Sequence, residues 1–374
     1  MRRLLLVALL LCVSAAPGAP APKPQVPAAA DWAMFRGDPQ LTGQATGELP
    51  ADPRPLWTFR AGDGISSTAA IAGGTVYVGS LDGFLYAIDL ATGGLRWKYK
   101  AASEIKSSPS VQSGVVYFGD EKGSFHALDA KTGEPRWAFQ TGAGIVSSAN
   151  FTPECVLFGS YDRFLYCLSP RDGALVWKAE TEGFVHGTPA VSGKTVIITG
   201  CDGYLRVLRA RDGRELRRAQ LGGYVAASPA IAGGRAFVGS FDNQFLAVDL
   251  GSGKPLWRYE HPSRKFPFYS SAALAGNTVV VGGRDQMVHA LDAGNGRELW
   301  TFPARSAVDA SPVIQGNRVL VATKRGTILT LELKTGKSTW SFETGAPVEA
   351  SPAVAAGRLV IGAMDGTLYC FGAK

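Results

Sequence analysis

The same stretch of wording recurs eight times along this chain, and that repetition constrains the fold more than any single residue. Trp57, Trp97, Trp137, Trp177, Arg217 and Trp257 are spaced 40 apart, Trp300 follows after 43 and Trp340 after another 40. Units of this length, built from short strands, cannot bury a core alone. They must stack on their neighbours in a radial or linear array.

One unit shows which array. Between Trp57 and Trp97 come a small-residue strand, Ser66 to Ile71, and a Gly73-Gly74 turn. The β-branched and aromatic run Thr75-Val76-Tyr77-Val78 follows, then the hairpin signal Asp82-Gly83. Phe84 to Asp89 forms a third strand, Thr92-Gly93 a second turn, and Leu95-Arg96-Trp97 a fourth strand. Four short antiparallel strands with tight turns make one propeller blade. Pro109, Pro189, Pro229, Pro312 and Pro352 sit in the first strand of their copies, where a strand lining a central channel has a free edge.

The eighth unit ends at Cys370-Phe371 without a fourth strand, while Pro55-Leu56-Trp57-Thr58-Phe59 precedes the first unit as a surplus one. The expected fold is therefore an all-β, eight-bladed β-propeller of four-stranded antiparallel blades. Residues 31–374 form a single domain, and the N-terminal segment 31–59 completes the last blade and removes open edges.

Met1-Arg2-Arg3 followed by an apolar run to Val13 reads as a secretory signal over residues 1–15, and the Ala/Pro-rich stretch 16–30 as a linker. The run is too short to span a membrane. Cys12 raises a lipid anchor, but Leu11 stands where lipidation signals carry Gly, Ala or Ser, so a soluble periplasmic form is favoured. An oxidising compartment permits disulfides. Cys155 and Cys167 flank the Tyr161-Asp162 hairpin tip and could bridge, although Cys167 and Cys370 also occupy the small buried slot held elsewhere by Ala87, Ala127 and Ala247.

The unit Val76-Tyr77-Val78-Gly79-Ser80-x-Asp82-Gly83-x-Leu85-Tyr86-Ala87-Ile88-Asp89-x-x-Thr92-Gly93-x-x-x-Trp97 resembles the pyrroloquinoline-quinone-like (PQQ-like) repeat. Trp32-Ala33-Met34-Phe35-Arg36-Gly37-Asp38-Pro39-Gln40-Leu41-Thr42-Gly43 looks like the N-terminal signature of the same superfamily. The resemblance implies that Trp57, Trp97, Trp137, Trp177, Trp257, Trp300 and Trp340 dock neighbouring blades. At this length, with a secretory leader, the chain is most similar to the BamB-type outer-membrane assembly proteins. That likeness implies a non-enzymatic periplasmic platform, monomeric, at most peripheral to the membrane, whose partner is the barrel-assembly machinery. Quinoprotein dehydrogenases share the repeat but are longer, with loops that carry a calcium site, a catalytic aspartate and adjacent paired cysteines. Here six of the seven intervals are 40 residues and no Cys-Cys pair exists. PQQ is not expected, and a quinone or small ligand in the central channel is the alternative.

Candidate chemistry is sparse. Asp82, Asp162, Asp202, Asp242, Asp285 and Asp365 share one repeat position, but Lys122 and Arg325 hold it in other blades, and a tight hairpin favours Asp. His126 and His289 take the place of Tyr86 as strand residues, and His186 and His261 precede inner strands of separate blades. None has metal-ligand spacing, and no nucleophile elbow or phosphate loop appears. The net charge of +7 favours anionic partners, but no nucleic-acid recognition module is present.

Two interruptions of the repeat point to partner binding. In blade 4, Arg206, Arg209, Arg211, Arg214, Arg217 and Arg218 cluster on the outer strands, with Arg217 replacing the docking tryptophan. Arginine pairs bidentately with carboxylate or phosphate. Before blade 6, three extra residues lengthen a loop that carries Arg264, Lys265, Phe266, Phe268 and Tyr269, a composition suited to a binding hot spot. The bland counterparts are a solvated, aggregation-blocking Arg edge and phenylalanines folded inward over the channel.

Overall fold

Strand follows strand without a helix in the computed structural model, which describes residues 31–373. Eight sheets of antiparallel strands surround a central channel. Blade 1 comprises Ala70–Ala72, Thr75–Gly79, Phe84–Asp89 and Leu95–Lys100, running from the channel outward, and the later blades repeat this order. Closure occurs as the sequence predicts. Arg54–Arg60 pairs antiparallel with Thr367–Gly372, supplying the fourth strand of blade 8. The leader and linker assigned to residues 1–30 lie outside the described residues.

The innermost joint between blades is a closed circuit of hydrogen bonds. The backbone N–H of Thr68 donates to Ser108 Oγ, Ser108 to Ser148, Ser148 to Thr188, Thr188 to Ser228, Ser228 to Ser271, Ser271 to Ser311, Ser311 to Ser351, and Ser351 back to Thr68, all at 2.8–3.2 Å. Every donor and acceptor is buried. In the core each such pair satisfies a backbone group that would otherwise be costly to bury.

Tryptophans make the outer joints. Trp57, Trp97, Trp137, Trp177, Trp257 and Trp300 donate Nε1–H to Leu90, Ala130, Pro170, Ala210, Ala293 and Leu333 O of the next blade at 2.8–3.2 Å. Each ring lies on the turn glycine of that blade. A Cβ on Gly133 would meet Trp97 at 2.7 Å, and its φ of +77° adds a second demand for glycine. Trp340 instead packs edge-on against Phe371 of blade 8, with centroids 5.6 Å apart.

Residues 32–45 do more than lead to the closing strand. They form a belt over one end of the channel, along the inner strands. Carbonyls of Trp32, Ala33, Pro39, Gln40, Thr42 and Gly43 accept the N–H of Ile71, Val111, Val191, Ile231, Leu274 and Ile314. Gln44–Ala45 pairs parallel with Val313–Gln315 as a fifth strand of blade 7. The free inner edges that tolerate proline are thus largely covered. Arg36 within the belt is fully buried and donates to Ala272 O at 2.7 Å.

In blade 3, Cys155 and Cys167 are joined as a disulfide with Cα atoms 5.2 Å apart, and both are buried. The two readings of Cys167 are compatible, since it fills the small-residue slot and is bridged across the strand pair. Cys370 occupies the same slot in blade 8 as a free, buried thiol.

Replacing Ser228 by Ala removes the acceptor of the buried Thr188 N–H and should cost about 1–3 kcal/mol, whereas Ser228→Thr, the residue found at position 188, should be near neutral. Denaturant unfolding midpoints of the two variants check this.

Candidate functional site

Hairpins between the second and third strands, together with the loops linking blades, build one face of the ring. Leu81 N–H bonds Gly64 O and Ile65 N–H bonds Ala363 O, tying loops and hairpins together. The shared-position aspartates serve this scaffold. Asp82 accepts from Phe84 N at 2.9 Å, Gly62 N at 2.7 Å and Tyr86 Oη at 2.6 Å, and Asp162 repeats the pattern with Phe164, Gly142 and Tyr166. Among the described residues, no group of three or more His, Cys, Asp or Glu could hold a metal.

On this face the channel opens through a mouth of about 390 Å³. One residue per blade lines it, at the repeat position two before the hydroxyl ring, including Lys106, His186, Tyr269, Asp309 and Glu349. The charges are paired within the wall. Arg284 binds Asp309 bidentately at 2.9 and 3.0 Å and lies 4.4 Å from the Tyr269 ring centroid. Lys324 bridges Asp309 and Glu349, and Lys106 bridges Glu104 and Glu121. His186 contacts Tyr161 Oη at 2.7 Å and Tyr269 Oη at 3.4 Å, and burial pushes its pKa down to about 4. Below the mouth, Phe35 and the hydroxyl ring leave about 140 Å³. That is room for a few waters.

Beside the mouth lies an apolar groove of about 520 Å³, lined by Phe184, Cys201, Tyr224 and Phe241 with Arg163 and Glu182 at its edge. Phe184 is 49% and Tyr224 67% exposed. Tyr161 stacks on Phe184 at 5.0 Å, which links groove and mouth. Sequence reading missed both aromatics. The signal was present, because the equivalent positions of the other blades hold Gly64, Glu104, Gly144, Pro267, Ala307 and Pro347.

The residues singled out in the sequence are divided by the structure. Phe266 is 51% exposed on the same face, and Arg264 and Lys265 are exposed beside it. Arg264 donates to Asp285 O and Lys265 pairs with Glu260. Phe268 is only 2% exposed and folds inward against Gly239. It stands where Ile105, Ile145 and Val308 plug other blades, so its role is packing rather than contact with a partner. Tyr269 is half-buried in the channel mouth. Arg206 also departs from the expected rim. It takes the Tyr86 position, is 2% exposed, and pairs with Asp202 at 2.7 Å, Glu215 at 3.3 Å and Glu182. Arg209 and Arg211 meet Asp212, and Arg218 meets Glu215 and Glu182. Among the described residues no carboxylate lies at salt-bridge distance from Arg214 or Arg217, although the Arg217 charge helps hold the Asp249 carboxyl below its usual range.

The family described as outer membrane protein assembly factor BamB matches residues 47–158, 161–301 and 284–374. The chain belongs to the BamB family. Among solved structures it resembles BamB from Moraxella catarrhalis, at 20% identity and TM-score 0.74, over 86% of this chain and 100% of that one. The computationally designed Ika8 protein matches at 21% identity and TM-score 0.75, over 84% of this chain and 98% of that one. Quinohemoprotein alcohol dehydrogenase from Comamonas testosteroni matches at 14% identity and TM-score 0.80, over 92% of this chain and 80% of that one. At these identities the structural likeness shows the fold alone. No curated protein matches by sequence.

Because the folded pKa of His186 lies below the ordinary 6.5, the unfolded chain binds more protons between those values. The stability tied to neutral His186 is complete above about pH 6.5 and is lost as pH falls toward 4. Histidine NMR should find this ring neutral at pH 5, and His186→Gln should flatten part of the acid fall in unfolding midpoint.

Proposed function

We propose that this BamB-family chain is a non-catalytic periplasmic platform for outer-membrane protein assembly, working without PQQ and docking a partner protein on its hairpin face. The observation that carries the reading is the groove between Phe184 and Tyr224, two large exposed aromatics on adjacent blade-linking loops above an apolar floor. Aromatic side chains anchored beside an apolar pocket are the usual energetic centre of a protein interface. Phe266, Arg264 and Lys265 extend the same face and supply a basic rim suited to an acidic partner. The wall charges of the channel are already neutralised by one another, which leaves the channel a structural axis in this reading. A quinone-dependent activity shares only the fold.

The double substitution Phe184→Ala/Tyr224→Ala should weaken binding to purified barrel-assembly machinery by about tenfold or more, with the melting temperature unchanged because both side chains are exposed. Unaltered affinity would remove the groove from the interface. A quinone chromophore copurifying with the protein would revive the channel reading.

A further inference from the structure

Six blade joints are closed by an indole seated on a turn glycine and a seventh by Trp340 against Phe371, whereas the joint between blades 4 and 5 has no indole. At the six, a Cβ on the turn glycine would lie 2.5–2.7 Å from a tryptophan ring carbon, as for Gly213 with Trp177 and Gly296 with Trp257. In blade 5 the corresponding glycine is Gly253, with the same left-handed φ of +72°. Its nearest neighbours are Arg218 O at 3.3 Å and Arg217 Cβ at 3.6 Å, so no ring covers it. The carbonyl that would accept the indole N–H is that of Leu250, the counterpart of Ala210 and Ala293. Among the described residues no donor reaches it.

We propose that this open joint is a socket for a tryptophan side chain of a partner protein, carried on an acidic segment. The shape argument comes from within the molecule, since six copies of the same turn hold an indole by the same two contacts, ring on glycine and N–H on carbonyl. The charge argument is local. Arg214 and Arg217 are exposed at this joint with no carboxylate at salt-bridge distance, Arg217 reaching Asp249 only through its longer-range charge, whereas neighbouring Arg209 and Arg218 are neutralised by Asp212 and Glu215. Acidic residues flanking the incoming tryptophan would pair with these two guanidiniums. Leu216, 41% exposed next to Arg217, adds apolar surface. The socket lies on the outer part of the ring, away from the groove of Phe184 and Tyr224, and does not depend on that groove being an interface.

The probe is the peptide acetyl-Glu-Glu-Trp-Glu-amide containing 5-fluorotryptophan, titrated with the protein and followed by its fluorine resonance. The wild type should bind saturably. Arg217→Trp fills the socket from within, as at the six sister joints, and should weaken binding by about tenfold or more while raising the melting temperature, which also shows that the ring has folded. A phenylalanine peptide, lacking the N–H for Leu250 O, should bind about three- to tenfold more weakly. Phe184→Ala/Tyr224→Ala should leave the titration unchanged. No saturable binding by the wild type, equal binding by Arg217→Trp, or equal binding of a peptide with alanine in place of tryptophan would each overturn the proposal.

Discussion

The circuit of eight hydrogen bonds around the channel is the constraint on which the rest of this molecule depends. Each blade contributes one hydroxyl and one N–H at the same repeat position, from Thr68 to Ser351, and the last donates to the first. Such a ring closes only when all eight inner strands stand at one height and one radius. It therefore fixes the channel, and with it the level at which every blade-linking loop emerges. A linear array with the same repeat would leave two ends unpaired. The strand Arg54–Arg60 answers the same demand at the outer radius of blade 8.

Inner polar joints and outer tryptophan joints divide the task of holding blades together. The hydroxyls set register by directional bonds between buried groups, while the indoles bury apolar area and add one bond each to the neighbouring blade. The belt from Trp32 to Ala45 works across blades rather than between neighbours, since its carbonyls reach inner strands of six of them. A chain organised this way presents a rigid face, and binding to it carries little cost of ordering the scaffold. Much of what varies from blade to blade falls on hairpin tips and linking loops, where Phe184 and Tyr224 replace small or polar residues, with Arg206 and Arg217 of blade 4 as departures within strands.

Most of the fold was legible because the repeat is nearly invariant in length. Register alone assigns the closing strand and places the recurring tryptophans, and the family resemblance supplies their docking role. Carried one step further, register also explains Phe268 and Arg206. Phe268 is forty residues before Val308 and so fills a core position, and Arg206 is forty after Tyr166 and so faces a hairpin aspartate. Composition misled there, since a Phe-rich loop and an Arg-rich strand look like surface features when read out of register. The belt was not legible in its course, because its partners are single inner-strand N–H groups spread over more than 200 residues. Nor was the groove, which is assembled by residues about 40 apart that become neighbours only when consecutive blades stack.

Site-specific photo-crosslinking in native envelopes tests the platform reading most directly, with the photoreactive residue placed at Tyr224 on the hairpin face or at Ser113 on the opposite, belt-covered face. A barrel-assembly component captured from position 224 and absent from position 113 would agree with a partner seated on the aromatic face. Capture from position 113 alone, or from neither position while the protein is present and folded, would contradict it.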